Sequence, residues 1–580
     1  MRFLPFCLFV LLSPLCHAAE PLPAGGTELV SATAPAKPVA ASQKITVSGQ
    51  PFTEALRLTV AVATPERPWS VQLMTTLDSG PIKAGDRLLV RYMARSTAGP
   101  GAATAKLQLA KPPHSLLGLT DKAEFGPEWE QINLPLIATL GAEQGSAAVT
   151  LFFGAQVQTV EIAAIQVLNY GPDFDLTKLP RQKTSYPGRE ENAAWRTAAL
   201  KRIDAHRMAD YSLQLLDSQG KPLAGRTVTI DLDRHEFGFG SCVTADLLTK
   251  EGPNNDRYRE AIERTFSRVV FENDLKPWSF SRTEQGRAKL DQSFVWLEAR
   301  GIGVRGHFLV QEALDKWTRK RLGDPEKLRA EMLADVRERI AAAGARVTEW
   351  DAINHPIAWR GADMLGKQDP RLASLSLDVF KDARSATTLP LCINEDQIFR
   401  PGPQQDLTFE YLDNLKRSGV RVDGLGNQAH ISSSFLPSPE DILRVTERFT
   451  AVVPKQVITE FDILTNGDEQ LAADYLRDIL IACFSHPAYD GFLLWGFWET
   501  SPGMPESYLW KHDWTLTPAG RVWEDLVGKR WHTRVSLTTD AAGRISWRGF
   551  KGTYHLTSNG QTSPRFQPGT PAAPASLTLP

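Results

Sequence analysis

Apolar residues along the chain follow two periods, and the change from one to the other divides it. Between residues 45 and 170 the period is two: Leu56, Leu58, Val60 and Val62 fall on one face of an extended segment, and Leu107 with Leu109 and Val149 with Leu151 repeat the pattern. Turn-forming clusters such as Ala84-Gly85-Asp86 and Ser96-Thr97-Ala98-Gly99-Pro100 separate these stretches, which predicts an all-β sandwich. A polar, Pro-containing linker covers residues 171–194. Residues 211–230 then read as a β-hairpin turning at Ser218-Gln219-Gly220-Lys221. From Phe237 onward, eight strand candidates follow in order: FGFGSCV, RVVFEN, GVRGHFLV, VTEWDAIN, LPLCIN, RVDGLGNQ, QVITEFDI and GFLLWGFW. Between them lie segments with apolar spacing of three and four, such as 324–343, 406–418 and 469–484. Eight such units within 195–530 match the size and alternation of a (β/α)8 barrel. A doubly wound open sheet is the competing arrangement, but no glycine-rich phosphate loop marks the first strand-to-helix turn. The predicted fold class is α/β, a (β/α)8 barrel preceded by an all-β sandwich, with a weakly alternating tail over 531–580.

Composition adds limits. With 42% hydrophobic and 23% charged residues and a net charge of -2, the chain is globular and lacks the basic patch of a nucleic-acid binder. Arg2, the apolar run from Phe3 to Leu15, and the small residues Ala18 and Ala19 read as a signal peptide over 1–19, so the protein is expected outside the cytoplasm, extracellular or periplasmic. Residues 20–44, rich in Ala, Pro, Thr and Ser, read as a flexible leader. No later run is long enough for a membrane span. Cys7 and Cys16 fall in the signal segment, and Cys242, Cys392 and Cys483 allow at most one disulfide; their wide spacing fits no zinc pattern, and they read as buried small apolar residues.

In a (β/α)8 barrel the chemistry sits where the strands end, so polar residues closing apolar strands are the candidates. The second strand ends in Glu272-Asn273 with Lys276 beyond, the third in Arg305-Gly306-His307, the fourth in Asn354-His355, and the fifth in Asn394-Glu395. Gln428 and His430 follow the sixth, Glu460 the seventh, and Trp495 and Trp498 the eighth. Amides, imidazoles, a lysine, carboxylates and indoles suit a sugar, whose hydroxyls need hydrogen bonds and whose C–H faces stack on rings. His307, His430 and Glu460 could be imagined as metal ligands, but no local spacing resembles a metal motif, and neither metal nor cofactor is expected.

These positions carry a resemblance. Glu272-Asn273-Asp274-Leu275-Lys276, Arg305-Gly306-His307, GLGNQAH at 424–430, VITEFDI at 457–463 and LLWGFWE at 493–499 are similar, in order, to the motifs of family 10 glycoside hydrolases, the xylanase family. The hairpin segment before the first strand resembles that of its plant-type members. The resemblance spans about 330 residues and implies a retaining glycosidase acting on β-1,4-xylan-type polymers. It implies Glu460 as nucleophile, with Glu272, Asn273, Lys276, His307, Asn354, Gln428, His430, Trp495 and Trp498 binding or orienting the sugar. Residues 45–170, through RPWSVQL, IKAGDRLLVRYMARS and QTVEIAAIQVLNYG, look like a jelly-roll carbohydrate-binding module, with Trp69 or Trp129 as the sugar platform or, alternatively, as structural tryptophans.

Two departures stand out. Where the family reads Trp-Asp-x-x-Asn-Glu, this chain reads Trp350-Asp351-Ala352-Ile353-Asn354-His355, so an imidazole occupies the acid/base position; and Gln311 replaces the Trp that follows the Arg-Gly-His turn. An imidazole beside a carboxylate can hold and pass a proton near neutral pH, but in a cleft shaped for Glu it can also be inert. Glu312 and Glu395 are candidates for a displaced acid. The expectation is a secreted, monomeric glycosidase on xylan, without nucleic-acid partner or membrane span, weakened at His355; the alternative is a glycan-binding pseudoenzyme.

Overall fold

The structure, a computed structural model, describes residues 22–31, 36–39, 42–65, 67–280, 283–311, 323–357, 369–400, 402–500 and 505–579; the expected signal segment and Glu312 lie outside them. The chain divides into two compact units, 1–183 and 184–580.

The first unit is all-β. One antiparallel sheet has the order Ser42–Thr46, Glu54–Val60, Gln158–Asn169, Arg87–Ala98, Glu130–Ile137, with Thr27–Glu28 also on Gln158–Asn169; the other has the order Ala36–Val39, Gln72–Thr76, Ala147–Phe152, Gly101–Leu109, Leu116–Phe125. Leu58, Val60, Leu107, Val149 and Leu151 interdigitate in one core, as their alternation predicts. Val62 lies past the end of its strand and is 75% exposed. Three strands come from the stretch read as a flexible leader, Thr27–Glu28, Ala36–Val39 and Ser42–Thr46, which corrects that reading. An added strand is held by backbone hydrogen bonds, which any side chains permit, so composition alone does not reveal it.

In the second unit eight strands close a parallel barrel: β1 Gly238–Val243, β2 Arg268–Phe271, β3 Gly303–Gln311, β4 Glu349–Asn354, β5 Leu391–Glu395, β6 Gly424–Asn427, β7 Lys455–Leu464 and β8 Tyr489–Leu494. They pair in sequence order, β8 joins β1, and all ladders are parallel. These are the eight apolar segments of the sequence, with helices between them. The helix Pro325–Ala343 starts where the Asp324 side chain accepts from the Lys327 backbone N–H, with Pro at the first turn, and Glu469–Ser485 starts with Asp468 accepting from Leu471. Gly306 is required by packing: it stands opposite Trp350 in the β3–β4 register, and a Cβ there would run into the fully buried indole.

The segment read as a hairpin over 211–230 is not one. Met208–Leu216 pairs with Arg544–Phe550 and Ala575–Thr578, whereas Thr227–His235 pairs with Arg534–Thr538 and Gly552–Ser558. The turn itself forms, with Asp217 N–H donating to Lys221 O. The apolar faces of both strands are covered only when strands more than 300 residues away in sequence join them. Among the described residues no helix is long and apolar enough to cross a membrane. Cys242, Cys392 and Cys483 are buried and free, and burial pushes each thiol pKa up, which keeps them as inert core groups.

Candidate active site at the C-terminal rim of the barrel

Glu460 and Asp462 are two apart on β7, so both side chains leave the same face of the strand. Glu460 is buried, hydrogen-bonded from two directions and approached by an imidazole from a third. Asn394 Nδ2 at the end of β5 donates to its Oε1 at 2.7 Å, His430 Nε2 lies 3.3 Å from Oε2, and His307 Nε2 lies 3.8 Å from Oε1. Each imidazole is backed by a second carboxylate: His430 Nδ1 is 2.8 Å from Asp462 and His307 Nδ1 is 2.9 Å from Asp351.

Burial by itself would raise the Glu460 pKa; the His430 hydrogen bond and the charges of His307, His430 and His355 outweigh it and hold the group at about 2, below its ordinary 4.5. Burial likewise works against a charged His430, and the Asp462 and Glu460 carboxylates overcome that, raising its pKa well above 6.5. At neutral pH this rim therefore carries an ionised Glu460 clamped by an imidazolium.

A second set of hydrogen bonds ties the acid/base position to the first. Asn394 Nδ2 also donates to Asn354 Oδ1 at 2.9 Å while its Oδ1 accepts from Thr459 at 2.7 Å, which fixes the amide orientation. Gln428 Nε2 lies 3.3 Å from Asn354 Oδ1 and 3.2 Å from His355 Nε2. Gly426 makes room for this: a Cβ there would strike the Asn394 side chain, so the second glycine of GLGNQAH serves the site by being absent of bulk. His355 has φ 53°, an uncommon conformation for a residue with a Cβ, and is held there by its N–H donating to Asn394 O at 2.9 Å.

The wall is aromatic and cationic. Lys276 Nζ donates to Asn273 Oδ1 at 3.2 Å and stands 5.7 Å from the Trp278 ring, 5.6 Å from Phe308 and 5.9 Å from Trp495. Burial lowers its pKa from the usual 10.5, with Glu460 and Glu272 acting the other way. Trp495 is half-buried, its ring 5.7 Å from that of His307 and 6.3 Å from that of His430. Gln311 closes β3, opposite Asn354 in register.

Glu460, His355, Asn273, Lys276, His307, Asn354, Gln428, His430 and Trp495 thus gather on one rim, Glu272 follows the end of β2, and Trp498 does not join them. It is 4% exposed and stacked on Trp514 at 4.8 Å, inside the hydrophobic core, because an indole gains more from full burial than from lining a wet cleft. Arg305 is also no rim residue: fully buried in the barrel, it is paired to Asp351 and Glu349, and Glu349 is paired in turn to Arg268. A charge inside a barrel persists only when paired, so these residues form a support beneath His307. Sequence reading missed Asn394 as a direct partner of Glu460, and Asp351 and Asp462 as partners of the two histidines. The period-two placement of Asp462 behind Glu460 was the signal available. Among the described residues no group of three or more His, Cys, Asp or Glu side chains is placed to hold a metal ion.

The two titrations act on stability with opposite signs. The Glu460 contribution is full above about 4.5 and is lost as pH falls toward about 2, since the unfolded chain takes up the proton first. The His430 contribution is full below 6.5 and is lost as pH rises through its raised folded value. Asp462→Asn is expected to destabilise by about 1–3 kcal/mol at pH 5.5 and to flatten the alkaline decline, measured by denaturant titration at about pH 5.5 and about pH 8.5.

Comparison with known proteins places this geometry. The anti-sigma-I factor RsgI6 of Acetivibrio thermocellus is 28% identical over 384 residues, 63% of this chain and 46% of that protein. Endo-1,4-beta-xylanase 2 of Arabidopsis thaliana is 25% identical over 361 residues, 60% of this chain and 32% of that protein. The chain therefore spans less than half the length of either relative. Among solved structures, xylanase 10B from Thermotoga petrophila RKU-1 in complex with xylobiose aligns with a TM-score of 0.46 at 20% identity, over 51% of this chain and 95% of that one. The sequence model of Glycosyl hydrolase family 10 matches residues 231–521, half of the chain and the whole of the barrel from before β1 to after β8, so this chain belongs to glycosyl hydrolase family 10.

Proposed function

We infer that the protein is a retaining glycoside hydrolase acting on a β-1,4-xylan-type polysaccharide, exported through the segment 1–19, with Glu460 as nucleophile and His355 in the acid/base position. The observation that carries this reading is the Glu460 carboxylate: buried, ionised, and aimed at the rim by Asn394, His430 and His307. In the first half-reaction a Glu460 oxygen attacks the anomeric carbon, the glycosidic C–O bond breaks, and the imidazolium of His355 gives its proton to the leaving oxygen. In the second, neutral His355 takes a proton from water as the water oxygen displaces Glu460. Lys276, Asn273 and Glu272 hold the sugar on one side of that bond, and Trp495 supplies the stacking surface beneath it.

The test is incubation with an aryl β-xyloside whose leaving group needs no acid, followed by peptide mapping. A glycosyl adduct on the peptide containing Glu460 is expected, together with slow release of oligosaccharides from xylan. Absence of any adduct and of any product would remove the hydrolytic reading.

A second reading, glycan binding without turnover, is favoured by one observation, the imidazole at residue 355. It predicts micromolar binding of xylan with no product from the parent, and recovery of turnover, if any, only in His355→Glu.

For the first unit we infer glycan binding through Trp69 and not Trp129. Trp69 is 50% exposed. Trp129 is capped by Arg95 at 4.9 Å and packed edge-on by Phe52 at 4.9 Å, and Arg95 is itself held by the buried Glu161 at 2.6 Å. Trp69→Ala is expected to weaken polysaccharide binding by about tenfold, and Trp129→Ala to lower stability while leaving affinity in place, read by affinity electrophoresis and thermal melting.

A further inference from the structure

His355 meets a second carboxylate besides Glu460. Glu395, the last residue of β5, is fully buried, and both of its oxygens are occupied by backbone donors: Oε2 accepts from Ile357 N–H at 2.7 Å and Oε1 from Asp396 N–H at 2.8 Å. Two backbone N–H groups thus use both carboxyl oxygens as acceptors. A carboxyl so enclosed is no displaced acid for a substrate, which corrects that expectation. It is, however, close to the imidazole: His355 Nδ1 lies 3.7 Å from Glu395 Oε1, with the His355 side chain 18% exposed and that of Glu395 wholly inside. The Gln428 amide nitrogen lies 3.2 Å from Nε2 and 3.5 Å from Nδ1, and the Gln428 backbone N–H donates to Glu395 O at 3.0 Å. The left-handed backbone at His355 and its N–H bond to Asn394 O turn the ring toward this pair of partners.

We propose that Glu395 is a positioning residue for His355, the two forming a carboxylate–imidazole dyad that stands in for a single carboxylic acid. Glu395 faces the Nδ1–H and fixes the tautomer, leaving Nε2 to give its proton to the leaving glycosidic oxygen and, after that bond has broken, to take one from the attacking water. Separations of this kind shorten when substrate closes the site, and the logic is that of any base oriented by a carboxylate behind it. Among the described residues, Asp396 after β5, whose carboxyl burial pushes up against the charges of His430 and His355, and Glu460 on β7 also act on the ring. Gln428 from the end of β6 is neutral. The proposal rests on the hydrolytic reading for its catalytic meaning but not for the pairing itself, and the experiment separates the two.

Nitrogen-15 NMR of the full chain, labelled at histidine and assigned with His355→Glu, reads the neutral tautomer of His355 without any turnover. The Nδ1–H tautomer is expected in the parent; an Nε2–H tautomer overturns the dyad, whether or not xylan is cleaved. In Glu395→Gln the preference is expected to be lost or reversed, and an unchanged tautomer in the folded variant also overturns it. Should Glu395→Gln fail to fold, the parent spectrum alone decides. If the parent turns glycan over, Glu395→Gln is expected to lose about 10²-fold on xylan and little on an activated aryl xyloside. A uniform loss on both substrates assigns Glu395 to structure alone and overturns the proposal.

Discussion

Glu460→Gln is expected to abolish glycosyl transfer, by on the order of 10⁴-fold or more, and to do so equally for xylan and for an aryl xyloside with an activated leaving group. The equality is the diagnostic part. A nucleophile is needed whatever the leaving group, whereas an acid is needed only when the departing oxygen cannot leave as an anion. Glu460 sits amid donors, with Asn394 Nδ2 at 2.7 Å and an imidazolium at 3.3 Å, so the isosteric amide loses the charge and also faces two groups that donate to it. Stability is expected to fall too, because His430 loses one of its two ion-pair partners and keeps Asp462. Initial rates on both substrates and a melting curve for the variant check this. A variant as fast as the parent on the aryl substrate would show that another residue attacks the sugar.

His355→Glu is expected to raise turnover on xylan by about 10²–10⁴-fold while changing the activated aryl substrate little. The reason is geometric. Residue 355 leaves β4 one position after Asn354, whose amide is tied to Asn394 and so to Glu460, so a carboxyl there enters a position already registered to the nucleophile. One effect opposes the gain and one supports it. The backbone at 355 has φ 53°, which a Glu tolerates at a cost of about 1 kcal/mol. Glu395 lies on the near side, and two carboxyls in one pocket disfavour double ionisation, which helps keep the new group protonated. Parallel assays of parent and variant on both substrates give the result. If xylan turnover does not rise in a folded His355→Glu, the cleft has lost its use for an acid, and binding without hydrolysis becomes the better account.

The barrel was readable from the chain because its signals are local. Eight apolar strands, the helices capped by Asp324 and Asp468, and the polar residues closing each strand all lie within short windows, and a parallel barrel puts strand ends together whatever else happens. Glu460, His307, His430, Asn354, Gln428 and Lys276 were named for that reason and stand on one rim. Trp498 was misread because a short window cannot tell an indole that lines a cleft from one that stacks on Trp514 in the core. The hairpin at 211–230 and the leader were misread because β-pairing is a contact between distant segments.

What the sequence determined by itself is the set of chemical groups and the end of the barrel that holds them, since strand period and strand order follow from the order of residues. What only the tertiary structure decided is which group answers which. Asp351 stands behind His307, Asp462 behind His430, and Asn394 between Asn354 and Glu460; Glu395 turns inward to His355 instead of outward to a sugar. These pairings are electrostatic and span 32 to 66 residues of chain, for example Asp462 to His430 and Asn394 to Glu460, so they arise only when the closed barrel brings separate strand ends within a few ångströms and excludes the water that would otherwise screen them.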